Sequence, residues 1–67
     1  MRIIVDAMGG DNAPDIPIEA SVETVNNKEN ITIILVGKKD VIEEKLSNFN
    51  FDRTKIEIVD ASDINVE

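Results

Sequence analysis

Between its first apolar run and its first helical pattern the chain reads Asp6-Ala7-Met8-Gly9-Gly10-Asp11-Asn12-Ala13-Pro14. Two adjacent glycines let a backbone turn with φ > 0 and approach a ligand with no Cβ in the way. A bend of this kind ahead of a helix aims several N–H groups at one point, which suits an anion such as phosphate. Gly9 and Gly10 are therefore candidate anion-binding residues. The plainer reading is a tight strand exit with no ligand. Asp6 and Asp11 flank the pair. A carboxylate beside a bound phosphate repels it, and salt screens that repulsion only beyond about 8 Å. Acids placed here order the loop by accepting its amide hydrogens, bind a metal, or face away; loop ordering is the commoner use of Asp in a turn.

Composition removes several chemistries. The 67 residues include no Cys and no His. A disulfide framework, a thiolate nucleophile, a Ser-His-Asp triad and a zinc cage are therefore excluded within these residues. Seven basic against fourteen acidic residues give a net charge of −7, which argues against a nucleic-acid module. The glycine pair is not a G-x-G-x-x-G dinucleotide fingerprint. Gly37-Lys38 lacks the upstream glycine and the hydroxyl of a Walker A loop, and G-x-S-x-G is absent. Lys38-Lys39 either faces the same edge as the glycines or is a solvated pair. Asp6, Asp60 and Asp63 together make an acidic magnesium pocket in a receiver-like reading. Ser62 has no His base and reads as a turn or cap residue. No metal site and no cofactor is expected.

These residues need a frame. Arg2–Asp6, Ile31–Val36 and Ile56–Val59 are rich in β-branched residues and bounded by turn formers, so each reads as a strand. Ile18, Val22 and Val25 fall at helical spacing, with Asp15 as a cap, Pro17 in the first turn and Asn26-Asn27 at the end. Ile42, Leu46 and Phe49 repeat that spacing, Asp40 with Glu43 resembles a capping box, and Asn48 and Asn50 mark the fraying end. The order β-α-β-α-β, with crossovers long enough for helices, predicts an α/β fold with a parallel sheet. Ligands of such sheets sit outside the carboxyl ends of the strands. The loops at Asp6–Pro14, Gly37–Asp40 and Asp60–Asp63 meet there.

Strands one and two are apolar on successive residues, which predicts cover on both faces; the alternation at Glu57 predicts that strand three is an edge. Two right-handed crossovers running in one direction place both helices on one face. The other face is then bare within these residues. A single partial α/β unit over 1–67 is expected, the amino-terminal part of a longer catalytic domain, with a dimer covering that face as the alternative. A core this small rarely supplies more than about 3–5 kcal/mol without a staple. The longest aliphatic run, Ile33–Val36, is far too short to span a bilayer, and Asp6 interrupts the first apolar run as a signal core. The expected compartment is the cytoplasm.

The opening Met1–Pro14, with its Asp-Ala-Met-Gly-Gly-Asp core at Asp6 to Asp11, closely resembles the start of the PlsX family, the acyl-ACP:phosphate acyltransferases. Ile33-Ile34-Leu35-Val36-Gly37 and Ile56-Glu57-Ile58-Val59 leading to Ala61-Ser62-Asp63 match more weakly, in register. The resemblance spans the whole chain, and family members are several times longer. Two departures stand out. Asp60-Ala61-Ser62-Asp63 replaces the family's His-Ala-Ser-Glu, so no histidine role carries over, and Lys38 stands where the family often has an acid.

The resemblance implies a reaction in which acyl-ACP and inorganic phosphate give acyl phosphate and ACP, for bacterial phospholipid synthesis. It further implies a homodimeric cytoplasmic enzyme with peripheral membrane association, and a parallel-sheet α/β/α sandwich like that of isocitrate and isopropylmalate dehydrogenases. These residues are incomplete on their own, and the segment alone is expected to be inactive. Phosphate is a competent nucleophile near neutral pH, so no protein Cys or Ser needs to be acylated; positioning and oxyanion stabilisation would supply the rate. On this reading Gly9 and Gly10 contact phosphate or the carbonyl oxygen, Asp6 and Asp11 order the loop, and Asn12 offers a polar contact. Phosphate or substrate binding is thus placed at Gly9, Gly10, Asp11 and Asn12. ACP is acidic and should avoid a −7 segment, so its docking surface is expected elsewhere. A dinucleotide-binding half of a dehydrogenase is the alternative. It requires an acid at the end of strand two, where Gly37-Lys38 stands.

Overall fold

The computed structural model describes residues 1–10 and 13–61. Its elements are β1 (Arg2–Asp6), α1 (Asp15–Asn27), β2 (Thr32–Gly37), α2 (Lys39–Leu46), a 3-10 turn (Arg53–Lys55) and β3 (Ile56–Asp60). The strands form one parallel sheet in the order β1-β2-β3. The parallel α/β architecture expected from the crossovers is therefore present. Ile3 and Ile33 pair, as do Ile33 and Ile56, so one residue from each strand lies on the same face at the same level.

Alternation along the strands then sorts the side chains. Ile33, Leu35 and Ile56 are buried with Ile18, Val22 and Val25 of α1 and Ile42 and Leu46 of α2, and Ile3, Val5 and Ile58 pack against them. Both helices thus cover one face. On the other, Ile4 is 71% exposed and Val59 is 47% exposed, so among the described residues that face is bare, as the two like-handed crossovers imply. Across it Arg2 donates to Glu57 at 2.8 and 3.4 Å, spanning β2 beside Ile34. This pair is solvent-exposed and contributes at most about 1 kcal/mol. Glu57 does lie on an edge strand, and β1 is the opposite edge.

Element ends depart from the sequence expectations in instructive ways. Asp15 is the first residue of α1 rather than its cap; Pro14 occupies the cap position and makes no side-chain hydrogen bond, while its carbonyl accepts the Ile18 amide at 3.1 Å. Asp40 does not form a capping box. The cap position is Lys38, and the Asp40 carboxylate accepts only the adjacent Val41 amide at 2.9 Å. Helix α2 stops at Leu46, so Phe49 is not helical; a turn in which its amide bonds the Leu46 carbonyl at 3.0 Å still folds its ring onto the core. β2 and β3 each run one residue further than expected, to Gly37 and Asp60, and β2 starts at Thr32 instead of Ile31.

The 3-10 turn was not foreseen. Asp52 caps it, accepting both the Thr54 hydroxyl at 2.6 Å and the Thr54 amide at 3.0 Å. Those two hydrogen bonds, chiefly the hydroxyl's, hold the Asp52 carboxyl below its ordinary range.

Candidate functional site

The carboxyl ends of the three strands converge as the parallel sheet requires. Ala7 extends the ladder past β1, its amide donating to the Val36 carbonyl at 2.9 Å, and it is fully buried. Beyond Ala7 the chain leaves the sheet. Asp6 governs the exit: its Oδ1 accepts the Met8 amide at 3.0 Å, and its carbonyl accepts the Gly9 amide at 3.4 Å. A carboxylate accepting the amide two residues on is a short local clamp that stabilises a turn. The same carboxylate lies under Gly9, where an added Cβ would come within 3.1 Å of Asp6 Oδ2.

Gly10 has φ of +90°, the one positive φ among the described residues. An L side chain is strained there, whereas the space around the site is open, since a Cβ on Gly10 would meet nothing within 4 Å. Its amide makes no hydrogen bond among the described residues. The arrangement is a bend with an uncommitted donor, opening outward from the carboxyl edge and followed closely by the first turn of α1. The Gly10 N–H, free among the described residues, can donate in such a bend to an oxyanion or a phosphate oxygen, whereas the Met8 and Gly9 amides are turned to Asp6. Asp11 and Asn12 lie outside the described residues.

The second and third loops sit on the same edge. The Ala61 amide donates to the Gly37 carbonyl at 2.8 Å, tying the exit of β3 to the end of β2. Lys38 and Lys39 follow Gly37 and are exposed. Asp60 closes β3 in register with Gly37. Asp63 and Ser62 fall outside the described residues, and among those described no group of three or more His, Cys, Asp or Glu is disposed to hold a metal ion.

A cleft of about 270 Å³ lies elsewhere, between α1 and α2, lined by Asp15, Ile18, Glu19, Lys45, Asn48 and Phe49. Its one ammonium is already paired, Lys45 Nζ lying 3.1 Å from Asp15 Oδ1, and Glu19 adds a second carboxylate. A cleft of that charge is a poor anion site and offers no free ammonium, and the candidate site is the glycine bend with its Gly10 amide. Among the described residues no helix is long and apolar enough to cross a membrane. Gly37 borders the carboxyl edge as well, since a Cβ there would lie 2.6 Å from Met8 Cγ, and nothing local in the sequence marks a glycine of that kind.

A model of the fatty acid synthesis protein family matches residues 1–66. Phosphate acyltransferase of Clostridioides difficile (strain 630) is 42% identical over 64 residues, covering 96% of this chain and 18% of that protein. Phosphate acyltransferase of Clostridium acetobutylicum is also 42% identical over 64 residues, covering 96% of this chain and 19% of that protein. That of Alkaliphilus oremlandii is 41% identical over 63 residues. The chain spans 18–19% of the length of these relatives. The dinucleotide-binding and receiver-like readings find no support in these matches. With the glycine bend inside the matched segment and the parallel unit formed as the resemblance implied, the chain belongs to the fatty acid synthesis protein family.

Proposed function

We propose that this chain supplies the phosphate-binding bend of a phosphate acyltransferase, in which acyl-ACP and inorganic phosphate give acyl phosphate and ACP. The observation that carries the reading is Gly10, at a positive φ on the carboxyl edge of a parallel sheet, with its amide uncommitted among the described residues. A hydrogen phosphate oxygen attacks the thioester carbonyl carbon, the C–O bond forms, the C–S bond breaks, and the leaving ACP thiolate takes up, through solvent, the proton that the phosphate sheds. The bend holds the attacking phosphate or the carbonyl oxygen. Asp6 keeps the bend in shape through the Met8 amide. Asp11 and Asn12 complete the loop in this reading. Hydrogen bonds to a charged group are worth about 1.5–3 kcal/mol each, so two or three sustain millimolar phosphate affinity, about 4 kcal/mol, only in a bend that is already ordered.

The same reading extends to the whole enzyme. A second helix layer covers the bare face at Ile4 and Val59, making an α/β/α sandwich of the isocitrate and isopropylmalate dehydrogenase type. The enzyme is a cytoplasmic homodimer with peripheral membrane association, and the acidic ACP docks on a surface outside these residues. The test is a crystal of an enzyme of full family length carrying this segment, soaked in orthophosphate. Density at the Gly9–Gly10 amides is expected; an ion lodged elsewhere with the bend empty refutes the assignment.

A further inference from the structure

Gly37 is buried at the end of the central strand, yet its backbone does not need glycine. The one positive φ among the described residues belongs to Gly10. Space is what it provides. A Cβ on Gly37 would lie 2.6 Å from Met8 Cγ, 3.1 Å from Met8 Sδ and 3.2 Å from Ile42 Cδ1. The Met8 side chain, 37% exposed, thus reaches from the β1 exit over the end of β2 and fills the place a side chain at position 37 would occupy, with Ile42 of α2 also bordering that place. Met8 is itself part of the bend, because its amide is clamped by Asp6 and it directly precedes Gly9. Met8, the residue before the glycine pair, is thus held at two points, by the Asp6 carboxylate at its amide and by the space over Gly37 at its side chain. Cγ is placed by χ1 alone, so the clash cannot be relieved by swinging only the far end of the methionine.

We infer that Gly37 is a positioning residue for the anion-binding bend, acting through a socket that seats Met8. The inference rests on the phosphate-site reading above. A Cβ at position 37 must push Met8 Cγ outward by roughly 1 Å to reach ordinary contact; on this inference part of that shift passes along the chain to the adjoining Gly9–Gly10 bend, where a misplacement of about 1 Å costs on the order of 100-fold. Met8→Ala releases the same anchor by emptying the socket.

The experiment uses the enzyme of full family length carrying this segment, with steady-state kinetics in phosphate and in acyl-ACP. Gly37→Ala and Met8→Ala should each lower kcat/KM for phosphate by about 10- to 100-fold while the KM for acyl-ACP stays within about two-fold. The double variant should be no worse than the poorer single one, because both changes release one anchor. Met8→Leu, which refills the socket, should restore most of the loss, and it keeps the test alive if Gly37→Ala does not fold. Multiplying losses in the double variant, or a lowered melting temperature with an unchanged phosphate KM, overturns the inference. Gly10→Ala run alongside separates the two ideas. If it alone impairs phosphate use, the bend stands and the socket falls; if it too leaves phosphate use unchanged, the bend falls and takes the socket with it.

Discussion

Replacing Gly10 by alanine separates a ligand-binding bend from a simple strand exit. The substitution adds one methyl group to a residue at φ +90° with no neighbour inside 4 Å. There is no clash, so the stability cost is conformational. A non-glycine residue in a sparsely populated region costs about 1–3 kcal/mol, of which the stiffer unfolded chain offsets about 0.4–1 kcal/mol. The expected net loss is about 1–2 kcal/mol, or a few degrees in Tm for a protein of family length. The effect on catalysis is larger if the amide binds the attacking anion, because the bend relaxes away from φ +90° and the donor turns. One hydrogen bond to a charged group is worth about 1.5–3 kcal/mol, and each 1.4 kcal/mol is tenfold, so kcat/KM for phosphate should fall by roughly 10- to 150-fold. Initial rates of phosphate-dependent thioester loss from acyl-ACP, across a phosphate series, give the number, and a thermal melt gives the stability. Gly10→Val adds bulk and should widen the gap between the two losses. A variant that melts lower but keeps its phosphate kcat/KM would falsify the bend as an anion site.

Other expectations follow from burial and charge. Leu35 is fully buried on the central strand, so Leu35→Ala should cost about 3–5 kcal/mol, as much as a core of this size supplies; circular dichroism of the 67-residue chain should then show an unfolded spectrum, and a retained fold would mean the core estimate is too low. Thr54→Val removes the larger of the two hydrogen bonds holding the Asp52 carboxyl below its ordinary range, so its pKa should rise yet stay lowered by the Thr54 amide. Because the native pKa lies below the unfolded one, that contact stabilises above the ordinary carboxylate range and is lost as pH falls through the native pKa; the stability gap between wild type and variant should therefore close on acidification, which carboxyl NMR titration with urea melts would follow. Lys38→Glu with Lys39→Glu should leave the acyl-ACP KM and its salt dependence unchanged within about two-fold, and a salt-sensitive rise would place ACP docking on this segment.

Much of the frame was legible in order and type. Ile18, Val22, Val25, Ile42 and Leu46 carry helical periods, so spacing alone marked the core side of both helices, whereas strands one and two are apolar on successive residues and only packing chose the face of Ile33 and Leu35. The bare face was equally legible, since handedness of crossover is a property of L-residues and not of this protein. Element ends were not. Asp15 and Asp40 are good caps in isolation, but the cap position is set by where the preceding strand and loop deliver the chain, and here that is Pro14 and Lys38. Phe49 kept its place on the core through a turn in place of a helix, because burial of an aromatic ring outweighs the local preference that would extend α2.

The glycine pair shows the same division at the site. Two adjacent glycines before a helix were enough to mark Gly9 and Gly10 as candidates for a main-chain contact to an anion. Loop ordering by Asp6 was legible too, because its carboxylate accepts an amide only two residues on, whereas which glycine takes the positive φ was not, and the place of Met8 over Gly37 depends on atoms brought together from separate strands. Sequence determined the kinds of residue and their periods, because those are local. Tertiary structure decided the caps and the socket, because each is a contact whose two halves lie on different elements or across a turn, and only packing selects which halves meet.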